Sequence, residues 1–359
     1  MYLLSKNHVK SILHAIPSLI AIIILGVIRT EANIYGPISQ NHFMLMTLIP
    51  GVLFAYLSDQ HFRKYTFIIS QMLGIIGGIV LTIVGFKFWA VVFIALVFNP
   101  LPVARAAFLD NFPQVSALKV IAITFIAQYI PLAFDSIFQT IPYEKVIFWS
   151  LIILSINVFF SIFWFRDKFD TPRPTPSFIH MGKNTSSIFV FLIAFIFAET
   201  NFYILWDFLD MNPMFNGSLS KNTASTLLGV SLAALYTRLP HKSVITLAYS
   251  IGAGMAFLAF IHCNHNTCAA DFVDSMKYYS LIGGLYLPFV ADGVIGMLPK
   301  YKAMGAASIE FSDVIATILA SLIFSHGTYQ ISILMLVVTV LFAIATGLQR
   351  YAEEIKTQH

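Results

Sequence analysis

The sequence predicts an all-α polytopic membrane protein with twelve transmembrane helices, arranged as two pseudo-symmetric six-helix bundles. Three observations lead to this prediction: the apolar composition, the number of long apolar runs, and an internal repeat at about half the chain length. Apolar residues make up 58% of the 359 residues and charged residues only 11%, whereas soluble domains carry about 25% charge. This composition, with a mean hydropathy of +0.81, excludes an ordinary soluble domain.

Twelve apolar runs approach the length of about 20 residues (range ~17–25) that a helix needs to cross a bilayer. In lipid, backbone polar groups must be satisfied within each segment, and these runs are too continuously apolar for barrel strands, so helices are predicted. The runs lie near Ile12–Tyr35, His42–Ser58, Tyr65–Gly85, Phe88–Leu109, Ala117–Phe138, Val146–Phe165, Ser186–Trp206, Ser220–Tyr236, Ser243–Ile261, Tyr279–Leu298, Ala306–Phe324 and Ile331–Leu348.

An internal repeat divides the chain into two related halves. The stretch GVLFAYLSDQHFRK (Gly51–Lys64) returns as GVSLAALYTRLPHK (Gly229–Lys242), and each copy is an apolar segment, a short basic turn and another apolar segment. Between the halves lies RDKFDTPRPTPSFIHMGKN, which indicates a cytoplasmic linker or an amphipathic element on the membrane surface. The predicted domains are therefore an N-terminal bundle over 1–165, a linker over 166–184 and a C-terminal bundle over 185–359. Two such halves are a known way to build a transporter whose substrate is held between them.

The distribution of Lys and Arg sets the predicted orientation, because cytoplasmic loops collect these residues. With both termini in the cytoplasm, fifteen of the 21 basic residues lie on the inner side, four lie outside, and Arg29 and Arg105 lie within membrane segments. The first apolar run is interpreted as a retained helix, because no convincing cleavage site follows it and it has a counterpart later in the chain. We expect a multi-pass protein of the plasma membrane, most simply a bacterial inner membrane.

The first copy of the repeat resembles a motif of the major facilitator superfamily, found between its second and third helices. The motif's Asp and final basic pair are kept, whereas its first base and its turn glycine are not. The corresponding positions are Ala55, Asp59, Gln60, His61, Phe62, Arg63 and Lys64. The second copy has Thr237 in place of Asp59. The resemblance implies a monomeric secondary transporter of the superfamily's twelve-helix fold. It also implies a cytoplasmic gate formed by Asp59, Arg63 and Lys64, for which Asp110 is our predicted partner of Arg63. The alternative is that the basic pair only sets the topology.

Ionisable groups inside membrane segments are costly, so they are candidates for function. The first helix contains EANIY and the seventh contains ETNFY, which place Glu31 with Tyr35 and Glu199 with Tyr203. Residues four apart share a helix face, so each half is predicted to offer one carboxylate and one phenol to a common cavity. Asn201 is a further substrate-binding candidate. The alternative for both glutamates is an interfacial side chain that reaches outward.

Two buried guanidinium groups indicate an anionic substrate, because Arg binds carboxylate or phosphate in a bidentate fork. These are Arg29 and Arg105, with Gln128 as a candidate neighbour in the cavity. The alternative is that each Arg pairs with an acid of the protein itself.

Proton coupling is predicted at carboxylates in the membrane. Glu310 and Asp313 lie three residues apart on one helix face, and two such groups cannot both ionise easily in a low dielectric. The candidates for proton binding are therefore Glu31, Glu199 and the Glu310/Asp313 pair.

The leading functional hypothesis is proton-coupled uptake, by symport, of a small polar and anionic nutrient or metal-chelate through alternating access. The alternatives are a proton-coupled exporter of amphipathic compounds and a non-transporting sensor or scaffold. No GxxxxGK[ST] loop is present, which disfavours ATP as the energy source. We predict no enzyme activity, no cofactor and no nucleic-acid partner. The outer loop His262–Asp271 has the residue types of a metal site but not a specific spacing. Its Cys263 and Cys268 are expected to form a disulfide or to be free thiols, with metal binding as a minor alternative.

Overall fold

The chain folds almost entirely into helices. The computed structural model describes residues 6–35, 40–60, 63–112, 115–165, 185–211, 219–235, 240–264, 267–268, 279–325 and 331–357. Its helices are α1 (Lys6–Tyr35), α2 (Gln40–Gln60), α3 (Arg63–Val84), α4 (Phe88–Val97), α5 (Leu101–Asn111), α6 (Ala117–Ala133), α7 (Asp135–Phe138), α8 (Tyr143–Trp164), α9 (Thr185–Met211), α10 (Leu219–Leu235), α11 (His241–His262), α12 (Tyr279–Met297), α13 (Lys302–Ser325) and α14 (Ile331–Thr357). One departure from an all-helical chain is a short antiparallel strand pair, β1 (Cys263–Asn264) and β2 (Thr267–Cys268), which sets Cys263 opposite Cys268.

Seven helical stretches in the described part are long and apolar enough to cross a membrane, and five shorter apolar helices accompany them. Every one of the twelve predicted runs overlaps one of these stretches, although the count of twelve crossings stays a prediction. The seven are Ser11–Ala32, Phe43–Gln60, Arg63–Val84, Phe88–Asn111, Tyr143–Trp164, Ser280–Met297 and Lys302–Leu322. The five are Ala117–Ala133, Ser186–Asn201, Thr223–Leu235, Ser243–Leu258 and Leu336–Gln349.

The helices form two compact units. The first comprises Met1–Ser177 and Leu298–Ser308, and the second comprises Phe178–Met297 and Ile309–His359. The predicted linker over 166–184 lies outside the described residues. The segment Leu298–Ser308, which contains the first turns of α13, belongs to the first unit, and no pattern in the sequence had indicated this.

In the first unit, α1 packs against α5, α6 and α8, and α3 packs against α8. Polar side chains bind these helices together within the membrane, as is common where lipid provides no competing donors. Asn157 Nδ2 donates to the Pro17 carbonyl on α1 (2.9 Å) and to Gln71 Oε1 on α3 (2.6 Å). The rotation of α1, which carries Arg29 and Glu31, is therefore fixed partly by α8.

The fourth predicted run is interrupted between α4 and α5. Pro100 has no backbone N–H to donate, and the residue before a proline avoids the helical region. Asn99 spans the interruption, because its side-chain oxygen accepts from the Leu101 N–H (3.2 Å) and its amide donates to the Thr47 carbonyl on α2 (2.9 Å). Helix α5 therefore begins afresh at Leu101 and carries Arg105 in its second turn.

In the second unit, α9 packs mainly against α14, α11 packs against α14, and α10 crosses α12 at very short range. Glycines make the α10–α12 crossing possible. A Cβ atom added at Gly284 would collide with the Thr226 carbonyl oxygen, and one at Gly229 would collide with the Leu281 carbonyl oxygen.

Replacing Gly284 with alanine should therefore destabilise the second unit. The obstructing atoms are backbone, so the helices must separate, and overpacking of this kind costs about 1–3 kcal/mol. We expect a lower midpoint of thermal unfolding in detergent. Gly254→Ala on α11 is the matched control, because a Cβ there meets nothing within 4 Å. An equal effect at both positions would contradict the close-contact explanation.

Candidate functional site

Arg105 lies at the centre of the polar site in the first unit. Its side chain is completely buried (0% exposed). Nε donates to Thr124 Oγ1 (3.0 Å) and Nη2 donates to Gln128 Oε1 (3.1 Å), both on α6. The guanidinium carbon also lies 4.2 Å from the centre of the Phe125 ring, within cation–π range. These contacts hold the guanidinium against α6 in one orientation.

Glu31 and Arg29 lie near the C-terminal end of α1. Glu31 is 0% exposed, and among the described residues neither of its carboxylate oxygens has a hydrogen-bond partner. Arg29 is also buried, and within the same set its Nε has no hydrogen-bond partner. A buried charge is costly unless it is paired or neutralised. Glu31 is therefore suited to binding a proton or a polar ligand.

The predicted grouping of Tyr35 with Glu31 does not form. Tyr35 is partly exposed, and its hydroxyl donates to the Gln139 carbonyl (3.5 Å). Its ring packs at 5.7 Å from Tyr143 and 6.4 Å from Phe86. Residues four apart share a face, but the last turn of α1 already lies beside the loops, so the phenol joins an aromatic cluster there.

The second unit brings two carboxylates and two phenols together. The Tyr286 hydroxyl on α12 donates to Glu199 Oε1 on α9, and the Tyr203 hydroxyl on α9 donates to Asp313 Oδ1 on α13, both at 2.8 Å. Glu199 and Tyr203 lie one turn apart on α9, so the Asp313 carboxylate bonds on the helix face that also carries Glu199. Glu199 and Tyr203, which were predicted to share a helix face, therefore each bond with a partner on another helix.

The structure adds a third acid to the predicted acidic pair. The sequence paired Asp313 with Glu310, which is buried in the structure, whereas the structure adds Glu199 from α9 as an electrostatic partner of Asp313. Tyr286 and Tyr249 were not predicted. Tyr249 is fully buried and packs edge-on against Tyr286 at 5.2 Å. Their one sequence signal is a phenol inside an apolar span.

Asn201 lies on the same helix as Glu199, two residues further along. It is completely buried, and its amide nitrogen and oxygen have no hydrogen-bond partner among the described residues. Buried amides are normally satisfied by protein groups or water. Asn201 is thus available for a ligand or a water molecule.

A second polar group in the first unit, here called the Asp59 cluster, comprises Asp59, Arg63, Asp110, Lys302 and the backbone N–H groups of Ala303 and Met304. Arg63 bonds with Asp59 (3.0 Å) and also with Asp110, and Lys302 Nζ bonds with the other oxygen of Asp110 (2.7 Å). The Asp59 carboxylate accepts from the Ala303 and Met304 N–H groups (3.3 and 2.9 Å). The predicted contact between Arg63 and Asp110 is present, whereas Lys302 and the start of α13 were not anticipated.

Lys64, predicted as part of the same gate, makes a different contact. Its Nζ donates to the Ile162 carbonyl in the last turn of α8 (2.7 Å). His14 Nδ1 forms a hydrogen bond with the neighbouring Trp164 carbonyl. Basic side chains stabilise the end of a helix in this way, because its last carbonyls lack backbone partners. Within the described residues, no group of three His, Cys, Asp or Glu side chains could hold a metal ion.

Comparison with known proteins gives structural matches only. No protein-family model matches the sequence, and no curated protein matches it. Among solved structures, the human organic anion transporter MFSD10 (TETRAN) is similar with a TM-score of 0.68 at 11% identity, over 95% of this chain and 98% of that chain. The major facilitator superfamily transporter FucP in the outward conformation is similar with a TM-score of 0.70 at 11% identity, over 96% of this chain and 99% of that chain. A variant of the E. coli fucose:proton symporter FucP is similar with a TM-score of 0.69 at 13% identity, over 96% of this chain and 98% of that chain.

Proposed function

From its major facilitator superfamily fold, we propose that this chain is a secondary active transporter. The matches extend over at least 95% of the chain, and the matching proteins are a fucose:proton symporter and an organic anion transporter. This supports a carrier of small molecules rather than an enzyme. The proposal places the protein in a bilayer, most simply a bacterial inner membrane, as a monomer with both termini in the cytoplasm.

The coupling ion in this proposal is the proton. The observation that carries the assignment is the Glu199–Asp313 pair, in which two carboxylates of one membrane unit interact while each accepts a phenol. Two adjacent carboxylates in a low dielectric are neutralised most readily when one takes up a proton. Glu31 is a second candidate, because its buried oxygens have no hydrogen-bond partner in the described part of the chain.

The substrate class is assigned from Arg105. Thr124 and Gln128 orient its guanidinium inside the first unit, and a guanidinium binds an anionic group such as a carboxylate in a bidentate fork. Arg29 and Asn201 are further candidates for contacts with the substrate. We propose uptake of a small polar anion, or of a metal-chelate of that charge, together with protons.

The Asp59 cluster is assigned as a gate at the cytoplasmic end of the protein. It joins the ends of α2, α3, α5 and α13 through charged and backbone contacts that can open together. Lys64, the third predicted gate residue, is assigned to joining α3 to the end of α8.

The test begins with thermal stabilisation of the purified chain across a library of small anions and neutral metabolites. A compound that stabilises the protein is then used, as a labelled molecule, for counterflow in proteoliposomes with an external pH electrode. Symport predicts counterflow and alkalinisation of the medium during uptake. Acidification would indicate antiport, and stabilisation without counterflow would support a sensor or scaffold instead.

Replacing Glu199 with glutamine should uncouple transport from the proton gradient. The amide imitates a protonated carboxyl that cannot release its proton, so counterflow should persist while accumulation driven by a pH gradient is lost. Glu144→Gln is the control, because Glu144 is an exposed carboxylate in the first turn of α8. If Glu199→Gln still accumulates substrate against a gradient, Glu199 is not needed for coupling.

A further inference from the structure

Each carboxylate of the acidic pair receives one phenol from another helix, and the two phenols are not equivalent. Tyr286 binds Glu199, which is only 4% exposed, whereas Tyr203 binds Asp313, which is partly exposed. We propose that Glu199, the more buried of the two acids, takes up the proton while Asp313 keeps its charge, and that Tyr286 and Tyr203 are positioning residues that hold each carboxylate in place and stabilise its charged form. This rests on the proposed proton coupling and names the residues that control it.

The surroundings of Glu199 exclude water more completely than those of Asp313. Tyr286 is 2% exposed and Tyr249 is 0% exposed, and the two rings meet edge to face beside the carboxylate of Glu199. Burial penalises the charged form of an acid in proportion to the hydration that it loses. Glu199 therefore gains more from protonation than Asp313 does, and one proton relieves the repulsion between them.

The ionisable groups around Glu199 come from several helices. Helix α9 contributes Tyr203, α12 contributes Tyr286, α11 contributes Tyr249, and α13 contributes Asp313 and Glu310. Helix α14, which also packs on α9, has no ionisable side chain between Ile331 and Gln349. No Lys, Arg or His occurs in the sequence over 185–211, 243–258, 279–297, 303–325 or 331–349. The acids are therefore neutralised by phenol donors, protons or a ligand, and not by a base on these stretches.

The Tyr286 hydroxyl can donate to Glu199 whether that group is a carboxylate or a protonated carboxyl. It therefore keeps the side chain in one orientation through the whole proton cycle, and it stabilises the charged form more strongly. The Tyr203 hydroxyl stabilises ionised Asp313 in the same way. Without the Tyr286 bond, Glu199 should hold its proton to higher pH; without the Tyr203 bond, Asp313 should compete for that proton.

Infrared difference spectroscopy of the full chain in lipid nanodiscs tests, without any substrate, which acid binds the proton and how the two phenols affect it. A pH titration of the wild-type protein should reveal the C=O stretch of one protonated carboxyl. The band should disappear in Glu199→Gln and remain in Asp313→Asn. In Tyr286→Phe the band should shift in frequency, and its midpoint should move upward by about one pH unit. In Tyr203→Phe a second, weaker band from Asp313 is expected.

Tyr56→Phe is the matched control, because this exposed tyrosine lies on α2 in the other unit, and its spectrum should equal that of the wild type. Loss of the band in Asp313→Asn with retention in Glu199→Gln would overturn the assignment. An unchanged midpoint and frequency in Tyr286→Phe would overturn its positioning role. Because no substrate is added, a chain that fails to transport can still give these spectra, so the two proposals fail separately.

Discussion

Replacing Asp59 with alanine is expected to destabilise the first unit by about 3 kcal/mol or more and to loosen the start of α13. The Asp59 side chain is 0% exposed and its partner Arg63 is 3% exposed, and removing one member of a buried ion pair costs about 3–5 kcal/mol. The change also removes the acceptor of the Ala303 and Met304 N–H groups. Thermal unfolding in detergent measures the first effect, and hydrogen exchange at these two amides measures the second.

Two further variants identify the part of the Asp59 cluster that stabilises the first unit. Asp59→Asn keeps an acceptor oxygen for α13 but loses the charge opposite Arg63. Its stability to thermal unfolding should therefore lie between those of Asp59→Ala and the wild type. Lys302→Ala should cost less than about 1 kcal/mol, because Lys302 is 29% exposed and solvent screens its bond with Asp110. If Lys302→Ala were as damaging as Asp59→Ala, the stability of the cluster would not come from its buried part.

The helices could be predicted because lipid permits few alternatives for the backbone, so long apolar runs are sufficient. The contact between Arg63 and Asp110 could also be predicted. A motif places Asp59 and Arg63 one turn apart, and Asp110 is the acid at the inner end of the fourth run. The interruption at Asn99 and Pro100 was not predicted. The apolar run continues on both sides of it, so the sequence indicated one continuous helix.

The partners of the buried acids could not be predicted. The rotation of a helix about its own axis is normally inferred from the alternation of polar and apolar residues. Segments that are apolar all round lack that alternation. The pairing of Glu199 with Tyr286 and of Tyr203 with Asp313 depends on those rotations. The bonds from Asp59 to the start of α13 join residues more than 240 positions apart, and no local pattern in either segment specifies them.

The largest loss of transport is expected from Arg105→Lys. Lysine keeps the positive charge but cannot reproduce the planar fork that meets Thr124 and Gln128, nor the stacking on Phe125. A charge-assisted hydrogen bond contributes about 1.5–3 kcal/mol, so transport of the anion found in the stabilisation screen should fall about 10- to 100-fold. The rate of counterflow in proteoliposomes measures this loss.

The stability of the Arg105 variants separates recognition from folding. Arg105→Lys should bind the anion poorly, so added anion should no longer raise its unfolding midpoint. Arg105→Met, which removes the charge and leaves Gln128 Oε1 without this donor, should in addition unfold at a lower temperature. Lys119→Gln is the control, because it removes one exposed positive charge from the first turn of α6 and should leave transport unchanged. If Arg105→Lys transports at the wild-type rate, the anion does not bind at Arg105. The role of the guanidinium would then be structural: its bonds with Thr124 and Gln128 join α5 to α6, and they form without any substrate.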